Sequence, residues 1–182
     1  YGLPEFYADE IRTARIVASP GCYPTSILIP LLPLVQNGIL DLQGIVVSSA
    51  SGVSGAGKKA DLKLLYVECN ESFRAYGAPK HRHLSEIEQE LTTANKGEEV
   101  RITFMPHLAP MRAGICTSIS AATSVPIEDA EFRMTSAYEN AYRDAPFVRR
   151  LGSGKFADTA NVVGTNFVDL GWHVDTRTGR VI

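Results

Sequence analysis

Cys22 stands between Pro20-Gly21 and Tyr23-Pro24-Thr25, at the head of a long apolar run. Proline is tolerated in the first turn of a helix because its missing N–H would be unpaired there anyway. The spacing therefore predicts a turn that ends at a helix N-terminus, with Cys22 at the junction. That end of a helix carries partial positive charge and free N–H groups, which favour the thiolate, the reactive form of cysteine. The chemistry open to such a residue is nucleophilic attack. The alternative is a small buried hydrophobe, the usual fate of a lone cysteine. Cys69 and Cys116 lack this context, and Cys116, inside an apolar strand, reads as structural.

A nucleophilic cysteine needs a base within hydrogen-bond reach. The chain has four histidines. His81 and His83 form His-Arg-His after Tyr76-Gly77-Ala78-Pro79-Lys80, beside the start of a helix, and are the best candidates. His107 follows Pro106 at a strand end, and His173 reads as a surface residue of a terminal hairpin. His-x-His is also half a metal site, but zinc needs further ligands at suitable spacing and none is evident. No metal is expected. Arg112, in Pro110-Met111-Arg112-Ala113-Gly114, is able to pair with a carboxylate or phosphate, or is a solvated loop charge.

Ser51-Gly52-Val53-Ser54-Gly55-Ala56-Gly57-Lys58-Lys59 is the one glycine-rich loop. Gly52 to Lys59 reads G-x-x-x-x-G-K-K, which lacks the Ser or Thr that a phosphate loop places on magnesium. Gly55 to Ala60 fits G-x-G-x-x-A after a strand, yet no helix and parallel strand with a terminal acidic residue follow, against a Rossmann unit. What remains is a run of small residues with exposed N–H groups that lets a phosphate or ring approach the backbone. A plain surface turn is the other reading.

The elements that must position these groups follow from periodicity and punctuation. A short helix is expected before Arg12, a buried strand over 14–18, and an apolar, central helix from Pro24 to Asn37 with a kink or late start at Pro30 and Pro33. Strands are expected over 44–50, 99–105, 114–122, 147–150, 161–163 and 167–174. Thr176 to Gly179 turns into a last strand, 180–182. Residues 61–69 are ambiguous and 70–80 are loop-like. Helices are expected over 83–95, capped by Ser85, and over 126–144, where Ala130, Met134, Ala137, Tyr138 and Ala141 share a face. Strands and helices mix without strict alternation, which favours α+β with a mixed sheet.

Composition sets the outer bounds. The chain has 182 residues, 45% hydrophobic and 21% charged, with net charge −2, enough for one domain with a core. No basic block is present, against a nucleic-acid partner. The longest apolar stretch, Ser26 to Val35, is too short to span a bilayer, so no membrane role is expected. Three cysteines without framework spacing fit reduced thiols in the cytoplasm. A start at Tyr1 reads as a piece of a longer protein.

In this order the pieces resemble the N-acetyl-γ-glutamyl-phosphate reductases, arginine-pathway enzymes related to the aspartate-semialdehyde dehydrogenases. The motifs are Tyr1 to Glu5, Pro20 to Thr25, Ser51 to Lys58, Tyr76-Gly77 with His81-Arg82-His83 and Glu86-Ile87, Pro106-His107-Leu108, and Asn161 to Gly164 followed by Asp169-Leu170-Gly171. Ser26 departs from the family, which often carries Gly or Ala there. The resemblance implies an α+β catalytic and dimerisation domain: a mixed, largely antiparallel sheet with helices on one face, like the C-terminal domain of glyceraldehyde-3-phosphate dehydrogenase. It implies that Cys22 attacks an acyl phosphate, that NADPH delivers hydride to the thioester, and that His81 is the acid/base. Tyr76, His83, Glu86, His107 and Arg112 are implied on the substrate side, and Ser51, Gly52, Ser54 and Gly55 toward the cofactor. The NADP-binding Rossmann domain is expected outside residues 1–182, and homodimers or homotetramers through this domain's sheet. The compartment is cytoplasmic, or a plastid in a plant. The rivals are a reductase of aminoadipyl or aspartyl phosphate and a non-catalytic dimerisation module.

Overall fold

The computed structural model describes all residues, 1–182. Its centre is helix α2 (Cys22–Gln36), in which Ile27, Leu28, Ile29, Leu31, Leu32, Leu34 and Val35 are all buried. A helix that is apolar all round has no face to offer water. It begins at Cys22, earlier than expected, and continues through Pro30 and Pro33 as one element. A helical proline leaves the carbonyl four residues earlier without its N–H partner. For Pro33 that carbonyl belongs to Ile29, and the buried Tyr142 hydroxyl donates to it. The Tyr138 hydroxyl donates to Pro30 O at 3.0 Å. Both tyrosines come from the C-terminal end of α5 (Ile127–Ala141) and the residue after it, and α5 also buries Ala130, Met134 and Ala137.

Around α2 lie α1 (Pro4–Thr13) and α4 (Leu84–Ala94), with the one-turn α3 (Tyr66–Cys69) further out. Two hydroxyl–carboxylate bonds one helical turn apart tie the N-terminal segment to α4. Tyr1 donates to Glu86 Oε1 and Tyr7 to Glu90 Oε2, both at 2.7 Å.

The main sheet has six strands in the order β2 (Arg74–Ala75), β3 (Ile102–Leu108), β1 (Ile45–Ser51), β4 (Ile115–Ala122), β8 (Arg180–Val181), β7 (Val174–Asp175). Only β1 and β3 run parallel within it. The mixed, largely antiparallel α+β fold is the one expected. Alternation along β1 buries Ile45, Val47, Ser49 and Ser51 against the helices, with Ile102 and Phe104 beside Ile45 and Val47 in register. The other face carries exposed Thr103, Met105, Cys116 and Ser118. Strands β5 (Val148–Ser153) and β6 (Val168–Trp172) make a second, parallel pair. Arg149 clasps the buried Asp169 carboxylate across it, at 2.6 and 2.9 Å.

Several local expectations are corrected. Residues 14–18 form no strand: their backbone bonds are one from Ala14 N–H to Ile11 O, which closes α1, and one from Gly2 N–H to Ala18 O, and Ile16 is 89% exposed. Residues 161–163 lie at the end of a 3-10 turn (Thr159–Asn161) and in the loop after it. His83, not Ser85, occupies the cap of α4. Cys116 is exposed, because the apolar look of β4 hides an alternation that puts its side chain on the open face. No helix is long and apolar enough to cross a membrane.

Candidate active site

Cys22 is the first residue of α2 and is exposed. Gly21 before it is extended (φ −65°, ψ 160°), so the chain enters the helix with the cysteine at the positive end of the dipole. Three contacts fix this turn. Gly21 N–H donates to Glu86 Oε1 at 2.9 Å, the same oxygen that Tyr1 occupies. A β-carbon at Gly21 would stand 2.8 Å from His83 Nε2, so only glycine lets that ring lie against the cysteine turn. The Thr25 hydroxyl donates to Gly21 O at 3.0 Å.

The structure brings His81 and His83 to this place. Their rings lie 5.0 Å apart, and His81 is also edge-on to Tyr23 (5.3 Å), Phe104 (5.5 Å) and Tyr76 (5.7 Å). The backbone N–H of His83 donates to His81 Nδ1 at 3.2 Å. A neutral His81 that accepts at Nδ1 carries its proton on Nε2, by the tautomer rule. Burial is the main reason that the His81 pKa lies below the ordinary histidine value, with His83 and Arg82 adding to it. His83 is lowered by burial and Arg82, against an opposing pull from Glu86. Both rings are therefore neutral near pH 7. His83 Nδ1 is buried and has no hydrogen-bond partner.

The remaining candidates sort by location. Tyr76 joins the cluster through its hydroxyl, 2.8 Å from that of Tyr23. The Glu86 carboxylate is occupied by Gly21 and Tyr1 and holds the cysteine turn. His107 is not brought to Cys22: it lies on the open face of the sheet, stacked on Phe73 at 5.0 Å. The Arg112 side chain is exposed, and its carbonyl accepts from Ser54 N–H at 2.9 Å.

That bond belongs to a set which revises the glycine loop. The N–H groups of Gly52, Val53 and Ser54 donate to Gly114, Met111 and Arg112, and those of Gly55 and Gly57 turn back onto the loop itself. The N–H groups of these five residues, expected to be exposed, are already satisfied. A β-carbon on Gly52 would meet Ala113 N at 2.6 Å, so this glycine is required by close backbone packing. Ser51 is buried and accepts a hydrogen bond from Tyr23, while Ser54 and Gly55 are exposed at the tip. The tip can touch the edge of a bound group, but no phosphate cradle is present.

Sequence reasoning missed a line of hydroxyls beneath the cysteine. Ser26, one turn on from Cys22, lies 2.9 Å from Thr117 Oγ1, which lies 2.8 Å from Ser49 Oγ. Alternation in β1 and β4 was the available signal, since it puts Ser49 and Thr117 on the helix-facing side. Cys22, Ser26 and Thr117 line a largely apolar cavity of about 530 Å³ between α2, β4 and β6. Along that side β4 pairs with β8 only at Ala121 and Ala122.

An exposed thiol at a helix start, a neutral histidine pair against its turn, and a fixed tautomer make a site for thiol addition to an electrophilic carbon with proton transfer alongside. Comparison with known proteins agrees with the architecture. Residues 22–182 match the family described as semialdehyde dehydrogenase, dimerisation domain. The chain is 57% identical over its whole length to an N-acetyl-gamma-glutamyl-phosphate reductase of Akkermansia muciniphila, and 44% identical to that of Acetivibrio thermocellus. It spans about half the length of these curated relatives, 52% in each case. Among solved structures it is similar to aspartate semialdehyde dehydrogenase II of Vibrio cholerae complexed with ASA (TM-score 0.67, 15% identity, 98% of this chain and 59% of that one). The chain belongs to the semialdehyde dehydrogenase dimerisation-domain family.

Proposed function

We propose that this chain is the catalytic and dimerisation half of an NADPH-dependent reductase. The reaction turns N-acetyl-L-glutamyl 5-phosphate into N-acetyl-L-glutamate 5-semialdehyde and phosphate, a step of arginine biosynthesis. The observation that carries the reading is the exposed Cys22 at the head of α2, with His83 packed against Gly21 and His81 edge-on to Tyr23, in a chain 57% identical to a protein of that name. The Cys22 thiolate attacks the acyl carbon, the C–O bond to phosphate breaks, and inorganic phosphate leaves a thioester on Sγ. Bound NADPH supplies the hydride that brings the thioester carbon to the aldehyde level. His81 donates its Nε2 proton to the oxygen that gains charge as hydride adds, and takes the same proton back when the thiohemiacetal collapses and the C–S bond breaks. The tip of the glycine loop, Ser54 and Gly55, fits contact with one edge of the cofactor. In this reading the nucleotide's phosphates are held by an NADP-binding domain outside residues 1–182, in keeping with loop amides that are spent on Gly114, Met111 and Arg112.

The open face of the sheet, with Thr103, Met105, Cys116 and Ser118, is the surface we assign to self-association, in keeping with the dimerisation-domain description of the family. Likeness to an aspartate semialdehyde dehydrogenase at 15% identity supports the shared fold and leaves the N-acetylglutamyl substrate as the better reading.

The test is Cys22→Ser in the full-length protein. Phosphate release and NADPH oxidation with the acyl phosphate should both be lost, while the parent enzyme treated with acyl phosphate alone carries the acyl mass on Cys22. Slow alkylation of Cys22, together with unimpaired turnover in the serine variant, would mark an inert module.

A further inference from the structure

Tyr23 follows the cysteine, is 2% exposed, and has no part in the chemistry above. Its hydroxyl lies 2.8 Å from Ser51 Oγ and 2.8 Å from the Tyr76 hydroxyl. The single Tyr23 proton is donated to Ser51, so Tyr76 donates its own to Tyr23. The line Tyr76 to Tyr23 to Ser51 thus joins the histidine loop, the cysteine helix and the start of the glycine loop. The ring between these bonds is edge-on to His81 at 5.3 Å, to His83 at 6.1 Å and to Phe104 at 5.2 Å. A buried hydroxyl without partners is destabilising, and a phenylalanine would fill the same space without that demand. What the hydroxyl adds is register between three separate segments.

We propose that Tyr23 is a positioning residue: through its hydroxyl bonds to Tyr76 and Ser51 it holds the His81–His83 pair at the cysteine turn in the geometry that proton transfer needs. The inference rests on the reading of Cys22 as nucleophile and of His81 as its proton partner. Small displacements of a catalytic group reduce turnover steeply, by up to about a hundredfold for one ångström. The ring of Tyr23 packs on the histidines, and the cavity beside Cys22 is lined by other residues. Loss of the hydroxyl should therefore act on turnover and leave substrate affinity alone.

The experiment compares Tyr23→Phe, Tyr76→Phe and the double variant in the full-length enzyme, by steady-state kinetics with acyl phosphate and NADPH and by thermal unfolding. The expected results are a kcat about tenfold lower for Tyr23→Phe with KM within about twofold, an unfolding temperature close to the parent's, and a double variant no slower than the slower single one, since residues acting as a unit are non-additive. A kcat within twofold of the parent, losses that multiply in the double variant, or a loss that tracks unfolding would each overturn the proposal. Cys22→Ser assayed beside them separates the two claims. If it keeps turning over, the thioester reading itself fails; if it is inactive while Tyr23→Phe is normal, only the role of Tyr23 fails.

Discussion

At the scale of single residues, the site is built from groups whose partners are peptide backbone as often as side chains. Glu86 serves the Gly21 amide, and His81 Nδ1 serves the His83 amide. These bonds set where the thiol and the imidazoles stand before any substrate arrives. The lowered pKa values of His81 and His83, caused first by burial, carry a pH signature with a definite sign. In the unfolded chain both rings take up protons as the pH falls through about 6.5, while in the folded state they resist. Protons then bind the unfolded state preferentially, and stability falls from pH ~6.5 down to the lower folded values, with no further loss from this source below them. Urea unfolding midpoints should drop between pH 7 and pH 5, and the drop should shrink when both histidines are replaced by asparagine. A drop of the same size in that variant would assign it to other groups. The candidates Cys22, His81 and His83 were legible because each sits in a short local pattern, whereas Tyr76 came only with the family resemblance. Tyr23 was not, because its meaning lies in bonds to residues 28 and 53 positions away.

At the scale of elements, α2 shows how the fold tolerates what local rules forbid. Two prolines inside a helix remove two N–H donors, and a tyrosine from beyond α5 replaces one of them at the Ile29 carbonyl. Tyr142→Phe should cost about 1–3 kcal/mol, the range for leaving a buried acceptor unpaired. In a Pro33→Ala background the restored amide serves Ile29 O, and the same substitution should cost less. Denaturant titration of the four variants forms the cycle that decides it. Equal costs in both backgrounds would show that the hydroxyl acts elsewhere. The periodic elements α5 and β1 could be read from their apolar spacing, and α2 from its unbroken apolar run. The stretch at 14–18 could not: Val and Ile favour strands, but a strand exists only where a neighbour offers a ladder, and none does here.

At the scale of the whole molecule, one sheet face is filled by α2, α4 and α5 and the other is left open. If copies of the chain meet on that open face, Met105→Glu with Ser118→Arg should convert the oligomer to monomers by light scattering, while alkylation of Cys22, on the helix-facing side, is retained. An unchanged mass would move the interface elsewhere. The sequence by itself determined the broad class and marked the candidate nucleophile with its histidine pair. Gly21-Cys22 before an apolar helix, the His-Arg-His pair and the mixture of periods are local statements, and local sterics and the helix dipole act on neighbours in the chain. Only the tertiary structure decided which face each strand presents, that His107 turns away from Cys22 while His81 and His83 turn toward its helix, and that the glycine loop spends its amides on the turn before β4. Those outcomes depend on register and on packing between segments far apart in sequence, where a shift of one residue moves a side chain to the opposite face.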